Sequence, residues 1–478
     1  MRSFCFTCLL LLAALTGQSI AADRPNFILI NIDDLGYADI SPFGGKVATP
    51  QLERMAREGM KLSSHYAAPV CSPSRAAMMT GCYPKRVLPI PGVLFPASAV
   101  GLNPEETTIA EVLKEAGYAT DCIGKWHLGD QPEFLPTAQG FDRYFGIPYS
   151  NDMGPRSDGA KSNLGEPIPT DQDVASKGVD PKHYGGDETG LKGNRQPPMP
   201  MVEGTRAIER MLPSGQQTMT RRYTERALRT IREHKDRPFF IYLPHSAVHF
   251  PLYPHQDFVG RSGAGLQKDW VLELDDSVGQ ILQLLRDLKL DTKTLVIFTS
   301  DNGGPVNHGA DNSPLRGTKG TTLEGGIRVC TLAWWPGNIP AGTITNAITT
   351  HMDWLPTLAA MAGGNLPNTK LDGLDLSPLL LGKESEFRAR DAFYYYRGFE
   401  LEAVRAGPWK LHLSRGQLYR LDTDIGEQID LAASHPDQVK HLQGLAQAMK
   451  ADLGLTGADA PGIRPLGRVK NPKPIATP

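Results

Sequence analysis

Four short apolar runs constrain the fold of this 478-residue chain more than any other feature: residues 27–32, 118–123, 239–243 and 295–299. Each is too short for a core helix and shows little polar alternation, so it reads as a strand buried on both faces. Helix-patterned segments lie between and beside them, at 52–59, 107–116, 221–235 and 270–288. Parallel strands cannot be joined by tight hairpins and need such crossovers. The expected fold is therefore α/β, a large and mostly parallel sheet flanked by helices. A chain of this length can bury one such domain with a smaller one beside it.

In open α/β sheets, ligands bind beyond the carboxyl ends of the strands. The first run leads into Asp33-Asp34 and the second into Gly124-Lys125-Trp126-His127. The third leads into His245 and His249, and the fourth into Asp301-Asn302-Gly303-Gly304. One polar cluster after one strand would mean little. Four clusters carrying acids, bases and cations mark a site. Asp33, Asp34, Asp301 and Asn302 offer only oxygen ligands, a set suited to Ca²⁺ or Mg²⁺ rather than zinc. Taken separately, each pair is also an ordinary turn or cap pattern. Lys125 and His127 are two apart and share a face in extended chain. The lysine can hold an anion, and the histidine can move protons near neutral pH. His245 and His249 would form a zinc pair only on a helix, which Pro244 and Pro251 exclude, so both are loop residues. Lys319 lies in a Gly-rich loop after Asp301-Asn302, placed to contact an anion. His351 reads as structural, at the start of a helix.

Cys71-Ser72-Pro73-Ser74-Arg75 opens a further helix-patterned run that ends at Gly81. Proline is well placed in a first helical turn. Cys71 then sits at a helix N-terminus, where the dipole favours negative charge. Arg75 lies one turn on. A lone cysteine is more often a small buried hydrophobe, but this context makes Cys71 part of an anion pocket.

Net charge is −2 and the basic residues are dispersed, which argues against a nucleic-acid partner. Met1-Arg2-Ser3, an apolar stretch at 9–15 and Ser19-Ile20-Ala21-Ala22 read as a signal peptide over 1–22. The apolar stretch is too short to span a bilayer, and no later segment is long and apolar enough for stable membrane insertion. The expected location is secreted or periplasmic, or lysosomal in a eukaryote. Four cysteines in a large exported domain are not a disulfide scaffold, although one bridge among Cys82, Cys122 and Cys330 stays open.

Residues 151–215 are rich in Gly, Pro, Asp, Lys and Asn and read as a loop-rich insertion of substrate-binding type. Alternating runs at 393–396, 401–406, 409–413 and 417–419 predict a small antiparallel sheet, followed by a helix at 436–453. Residues 454–478 are rich in Pro and Gly and read as a flexible tail.

The Cys71-x-Pro73-x-Arg75 motif, continuing through Thr80-Gly81, resembles the maturation motif of sulfatases. With residues 147–152, 317–328 and 371–376, the chain resembles the type I, formylglycine-dependent sulfatases of the alkaline-phosphatase superfamily from about residue 24 to 431. The resemblance implies an alkaline-phosphatase-like catalytic domain over 23–385 and a C-terminal subdomain over 386–453. It implies that a formylglycine-generating maturation enzyme oxidises Cys71. It implies one Ca²⁺, with Mg²⁺ as the alternative, on Asp33, Asp34, Asp301, Asn302 and the modified Cys71. Arg75 and Lys125 would hold the aldehyde hydrate. His249 and Lys319 would bind sulfate and protonate the leaving group, and His127 would be the base. Ser150 is expected as a substrate-side contact, and His245 is placed with it. Cys82 and Cys330 stand where arginine and proline are common in the family, outside the core motifs. The expected activity is hydrolysis of a sulfate ester, of a sulfated carbohydrate rather than a small ester. The alternatives are a phosphonate or phosphate monoester hydrolase and a non-catalytic sulfated-glycan binding protein.

Overall fold

The computed structural model describes residues 24–169 and 186–478. The four apolar runs become β1 (Asn26–Ile32), β2 (Ala119–Ile123), β3 (Phe239–Pro244) and β4 (Thr294–Ser300). They lie side by side, all parallel, in the order β4-β1-β3-β2 at the centre of an eleven-stranded sheet. Successive strand residues point to opposite faces. Ile28, Ile30, Ile241, Leu243, Val296 and Phe298 enter one core with the helices Pro50–Glu58, Met219–His234 and Leu266–Asp287. Phe27, Leu29, Phe240, Tyr242, Leu295 and Ile297 enter the other, with Cys71–Thr80, Ile109–Glu115 and Trp354–Ala362. This double burial explains the missing polar alternation. Each fully buried apolar side chain contributes roughly 1.5–3 kcal/mol.

The sheet is mixed at its margins. Arg143–Gly146 extends the parallel set beside β2, whereas Arg328–Trp334 runs antiparallel to β4 and to Met60–Tyr66. Pro200–Glu203 and Arg206–Arg210 pair antiparallel at the far edge. That part of the expected loop-rich insertion is therefore sheet. Residues 170–185 of the same stretch and the expected signal segment 1–22 lie outside the described residues.

Phe393–Arg397, Glu400–Ala406, Trp409–His412 and Gln417–Arg420 form an antiparallel meander, against which the helix Pro436–Lys450 packs. Its apolar side shares a core with Tyr66, Ala77 and Ile327, so this smaller sheet docks where the main strands end.

The expectation of a flexible tail at 454–478 is overturned. Gly467–Arg468 pairs with Val100–Gly101, and the Val469 N–H donates to Ala99 O at 2.9 Å. Arg464 pairs with Glu106 at 2.5 Å, while Leu466 and Ile475 pack on the main core. Proline and glycine rule out a helix there, but they do not rule out docking. Cys71, Cys82, Cys122 and Cys330 are buried and free, so no bridge forms among the last three. No helix among the described residues is long and apolar enough to cross a membrane.

Candidate active site

Strand register brings the acidic pairs together. Ile32 of β1 lies opposite Ser300 of β4, so Asp33-Asp34 and Asp301-Asn302 emerge side by side. The Asp33 N–H donates to Ala247 O and the Asp301 N–H to Ile32 O, both at 2.9 Å. Asp34 takes φ 65°, a left-handed turn that Asp tolerates. Gly124 turns the chain off β2 at φ 134°, and the Lys125 N–H then donates to Pro244 O at 2.7 Å. A Cβ on Gly124 would lie 1.9 Å from Pro244 O, so only glycine allows this approach.

The Cys71–Thr80 helix is buried along its whole length and is closed by Gly81 at φ 69°. Arg75 Nε and Nη2 donate to Asp301 Oδ2 at 3.0 and 2.7 Å, and Nη1 donates to Lys125 O at 2.7 Å. Arg75 thus ties the end of β4 to the end of β2. Its Nη2 also lies 3.8 Å from Asp33 Oδ1. Asp33 Oδ2 accepts from Lys125 Nζ at 2.5 Å, and its Oδ1 lies 3.4 Å from the Cys71 thiol. Asp34 Oδ1 accepts from Lys319 Nζ at 2.6 Å and from Asn302 Nδ2 at 2.7 Å. Lys319 Nζ is 3.5 Å from Cys71 Sγ. Ser150 Oγ lies 3.1 Å from Lys125 Nζ and 3.2 Å from His249 Nε2.

Ligand atoms of Asp33, Asp34, Cys71 and His249 all fall within 4.8 Å of one another. Asn302 Oδ1 is buried without a hydrogen-bond partner among the described residues. Clustered carboxylates beside an orphaned amide oxygen fit a hard divalent cation. The cluster is capable of holding a metal ion, and it brings in His249 beside the expected ligands.

Charge is concentrated here and largely cancelled. Burial raises the Asp33 and Asp34 carboxyls, but Lys125 beside one and Lys319 beside the other, with His249, leave both below the usual range. Lys319 is held well above the ordinary lysine value, because Asp34, with Asp33 and Asp301, outweighs its burial. Burial, then Asp301 and Asp33, push the Cys71 thiol up, so it stays protonated and is a poor nucleophile as it stands. Burial, then Lys125 and Arg75, hold His127 well below the ordinary histidine value. Its Nε2–H donates to Leu94 O at 2.9 Å, which leaves Nδ1, buried and unpartnered, with the free lone pair. That is a neutral base in a fixed tautomer.

Asp33, Asp34, Cys71, Arg75, Lys125, Ser150, His249, Lys319, Asp301 and Asn302 therefore form one connected group. His127 is near enough to this group for the charges of Lys125 and Arg75 to lower its pKa. His245 does not join. It is buried with both ring nitrogens unpartnered, its ring 6.1 Å from that of Tyr223, and burial lowers its pKa to about 3. The sequence placed His245 on the substrate side with Ser150, whereas in the structure its ring is buried beside Tyr223, four residues before His249. Sequence reasoning passed over Asp152, whose Oδ1 is buried without a partner and whose carboxyl His249 and Lys161 lower against its burial. Its signal was available, two residues after Ser150.

The family model described as Sulfatase matches residues 25–364. The chain is 41% identical to arylsulfatase A of Homo sapiens, covering 93% of this chain and 91% of the relative. It is 38% identical to N-acetylgalactosamine-6-sulfatase of Canis lupus familiaris, covering 84% and 74%. Among solved structures it is similar to Ps i-CgsB in complex with k-i-k-neocarrahexaose, with a TM-score of 0.73, 29% identity and coverage of 90% and 92%.

Proposed function

The chain belongs to the sulfatase family and is a sulfuric ester hydrolase, and from that premise we propose that it desulfates a carbohydrate, with formylglycine made from Cys71 as its nucleophile. The observation that carries this reading is the seat of the Cys71 thiol. It opens a buried helix 3.4 Å from Asp33 and 3.5 Å from Lys319, a position where burial and the flanking carboxylates disfavour a thiolate, so an unmodified thiol is a poor nucleophile there. A formylglycine hydrate supplies one hydroxyl to attack sulfur and a second whose deprotonation releases sulfate. Asp33, Asp34, Asp301 and Asn302, with residue 71, would hold Ca²⁺, with Mg²⁺ as the alternative, and a bound cation supplies positive charge to the sulfate oxygens.

The chain's own residues divide the remaining work. Lys125 and Lys319 offset charge on the sulfate oxygens. Arg75 holds Asp301 and the Lys125 backbone in place around residue 71. His249, steadied by Ser150, hands a proton to the departing alcohol oxygen, with Lys319 as the neighbouring donor. His127 Nδ1 takes the proton from the second hydroxyl. A carbohydrate substrate is supported by the N-acetylgalactosamine-6-sulfatase relative and by the hexaose in the Ps i-CgsB complex. Residues 1–22 act in this reading as an export signal, and a formylglycine-generating enzyme is the maturation partner. The main domain spans 23–385 and the C-terminal subdomain 386–453.

Mass spectrometry of the peptide carrying position 71, from protein made in its native host, tests the nucleophile. An aldehyde is expected there, and a thiol alone would overturn the reading. Cys71→Ala is expected to lower kcat by ~10³-fold or more with an unchanged circular-dichroism spectrum. Higher kcat/KM on small aryl sulfates than on sulfated oligosaccharides would overturn the substrate class.

A further inference from the structure

Lys319 reaches the site from a loop, and a loop is a poor support for a group that must sit within a few tenths of an ångström of its target. On the site side, this loop is held by the Gly320 N–H on Pro69 O at 2.8 Å, by Asn312 Nδ2 on Gly317 O at 3.2 Å, by the Thr318 hydroxyl, which donates to Gly304 O at 3.3 Å and accepts the Val306 N–H at 3.2 Å, and by the longer Lys319 N–H to Gly304 O contact at 3.4 Å. Its other side rests on the C-terminal sheet. Lys410 Nζ donates to Thr322 O at 2.8 Å and Glu324 Oε1 at 2.9 Å, and it lies 2.9 Å from Glu427 Oε1. Glu427 Oε2 accepts the Glu324 N–H at 2.8 Å, and Glu427 O accepts from Arg316 Nη1 at 2.9 Å. The Thr322 hydroxyl donates to Glu402 Oε2 at 2.7 Å.

These ties grip both ends of the loop, at Arg316 and at Thr322–Glu324, and leave Lys319 between them. Lys410, Glu324 and Glu427 are all buried, and the mechanism above uses none of them. Lys410 also sits 4.3 Å above the Tyr395 ring. Burying one cation between two carboxylates is a costly way to gain stability alone, since well-packed apolar residues commonly do as well. Fixing a loop's geometry is a task that such a network does perform.

We propose that Lys410 and Glu427 are positioning residues, through which the C-terminal sheet sets the reach of Lys319 into the sulfate-binding centre. This rests on the role given to Lys319 above. The test uses the full-length, matured enzyme with Lys410→Met, and with Lys410→Met/Glu427→Gln, which removes one buried cation and one buried anion together and so guards against misfolding of the single variant. Each is measured on a sulfated sugar, on an aryl sulfate and for inhibition by inorganic sulfate, with activity normalised to folded protein by near-UV circular dichroism.

Misplacing Lys319 is expected to lower kcat/KM on the sugar by roughly 10- to 100-fold. The loss on the aryl ester is expected to be smaller, because its leaving group needs less protonation. The inhibition constant for sulfate is expected to rise. A folded double variant with wild-type kcat/KM and wild-type sulfate inhibition overturns the proposal. So do losses that are equal on both esters with sulfate inhibition unchanged. An unimpaired Lys319→Ala enzyme would instead remove the role of Lys319 itself, and absence of sulfate-ester hydrolysis in the wild type would remove the reading beneath both.

Discussion

A histidine in this protein is defined by what its two ring nitrogens touch. His127 gives Nε2–H to a backbone carbonyl and keeps Nδ1 free. His351 Nε2 lies 3.0 Å from Ser300 O, its Nδ1 lies 3.0 Å from His65 Nε2, and His65 Nδ1 lies 2.9 Å from Thr349 Oγ1. A single direction of donation, from Thr349 through to Ser300, satisfies all three with both rings neutral. This is the structural role expected of His351. Burial lowers His351 to about 4 and His245 to about 3, against an ordinary 6.5. In the window between, these two histidines bind protons in the unfolded chain and not in the native one, so their contribution to stability rises with pH and is lost on acidification, while Glu273, pushed by burial up to about 8, acts in the opposite direction. His351 alone accounts for about 3 kcal/mol of this, at 1.36 kcal/mol per unit. The shift in urea midpoint between pH 7 and pH 5, compared between wild type and His351→Gln, checks it, and an equal shift in the two would contradict it. Asn302 carries a separate prediction. Removing its orphaned amide oxygen in Asn302→Ala should weaken Ca²⁺ binding roughly tenfold or more by titration calorimetry. Unchanged affinity would exclude Asn302 as a ligand. Asp33-Asp34 and Asp301-Asn302 were legible in the sequence because each follows an apolar run. Which way the His245 ring faces was not, since that depends on packing against Tyr223.

At the scale of elements, the central strands were legible because both of their faces are buried and the run is apolar throughout. Met60–Tyr66 escaped notice because Lys61 and Ser63 stand on its less buried side. Arg328–Trp334 follows the one-turn, Gly-containing helix Glu324–Ile327 directly, so its start carries no turn signal of its own. The two strands that cap the far edge fall inside a stretch whose composition is that of a loop. Element ends matter most at Gly124, where β2 and β3 part beneath Lys125. Gly124→Ala puts a methyl against Pro244 O at a φ that L residues avoid. It should cost about 2 kcal/mol of stability and lower kcat by displacing Lys125. Thermal melts and steady-state kinetics on the same preparation would check this, and a variant with wild-type melting and turnover would contradict it.

On the scale of the whole molecule, the two sheets and the terminal segment act as one support for the strand-end site. Deleting residues 464–478 removes the Arg464–Glu106 pair and the Gly467–Arg468 pairing, and it uncovers apolar surface beneath Leu466 and Ile475. The truncated protein should melt several degrees lower, since about 1 kcal/mol moves the midpoint of a large domain by ~2–4 °C. An unchanged melting temperature would show these contacts to be idle. The sequence by itself determined the α/β class, the Cys71 motif and the acids, lysines and histidines released at the strand ends. Those features depend on residue type and on spacing along the chain. Only the tertiary structure decided that His245 belongs to the core, that the terminal segment is strapped down, and that Lys410 braces the loop of Lys319. Each of these turns on contact between segments far apart in the chain, and no local pattern encodes which distant partner will fill a given cavity or satisfy a given buried charge.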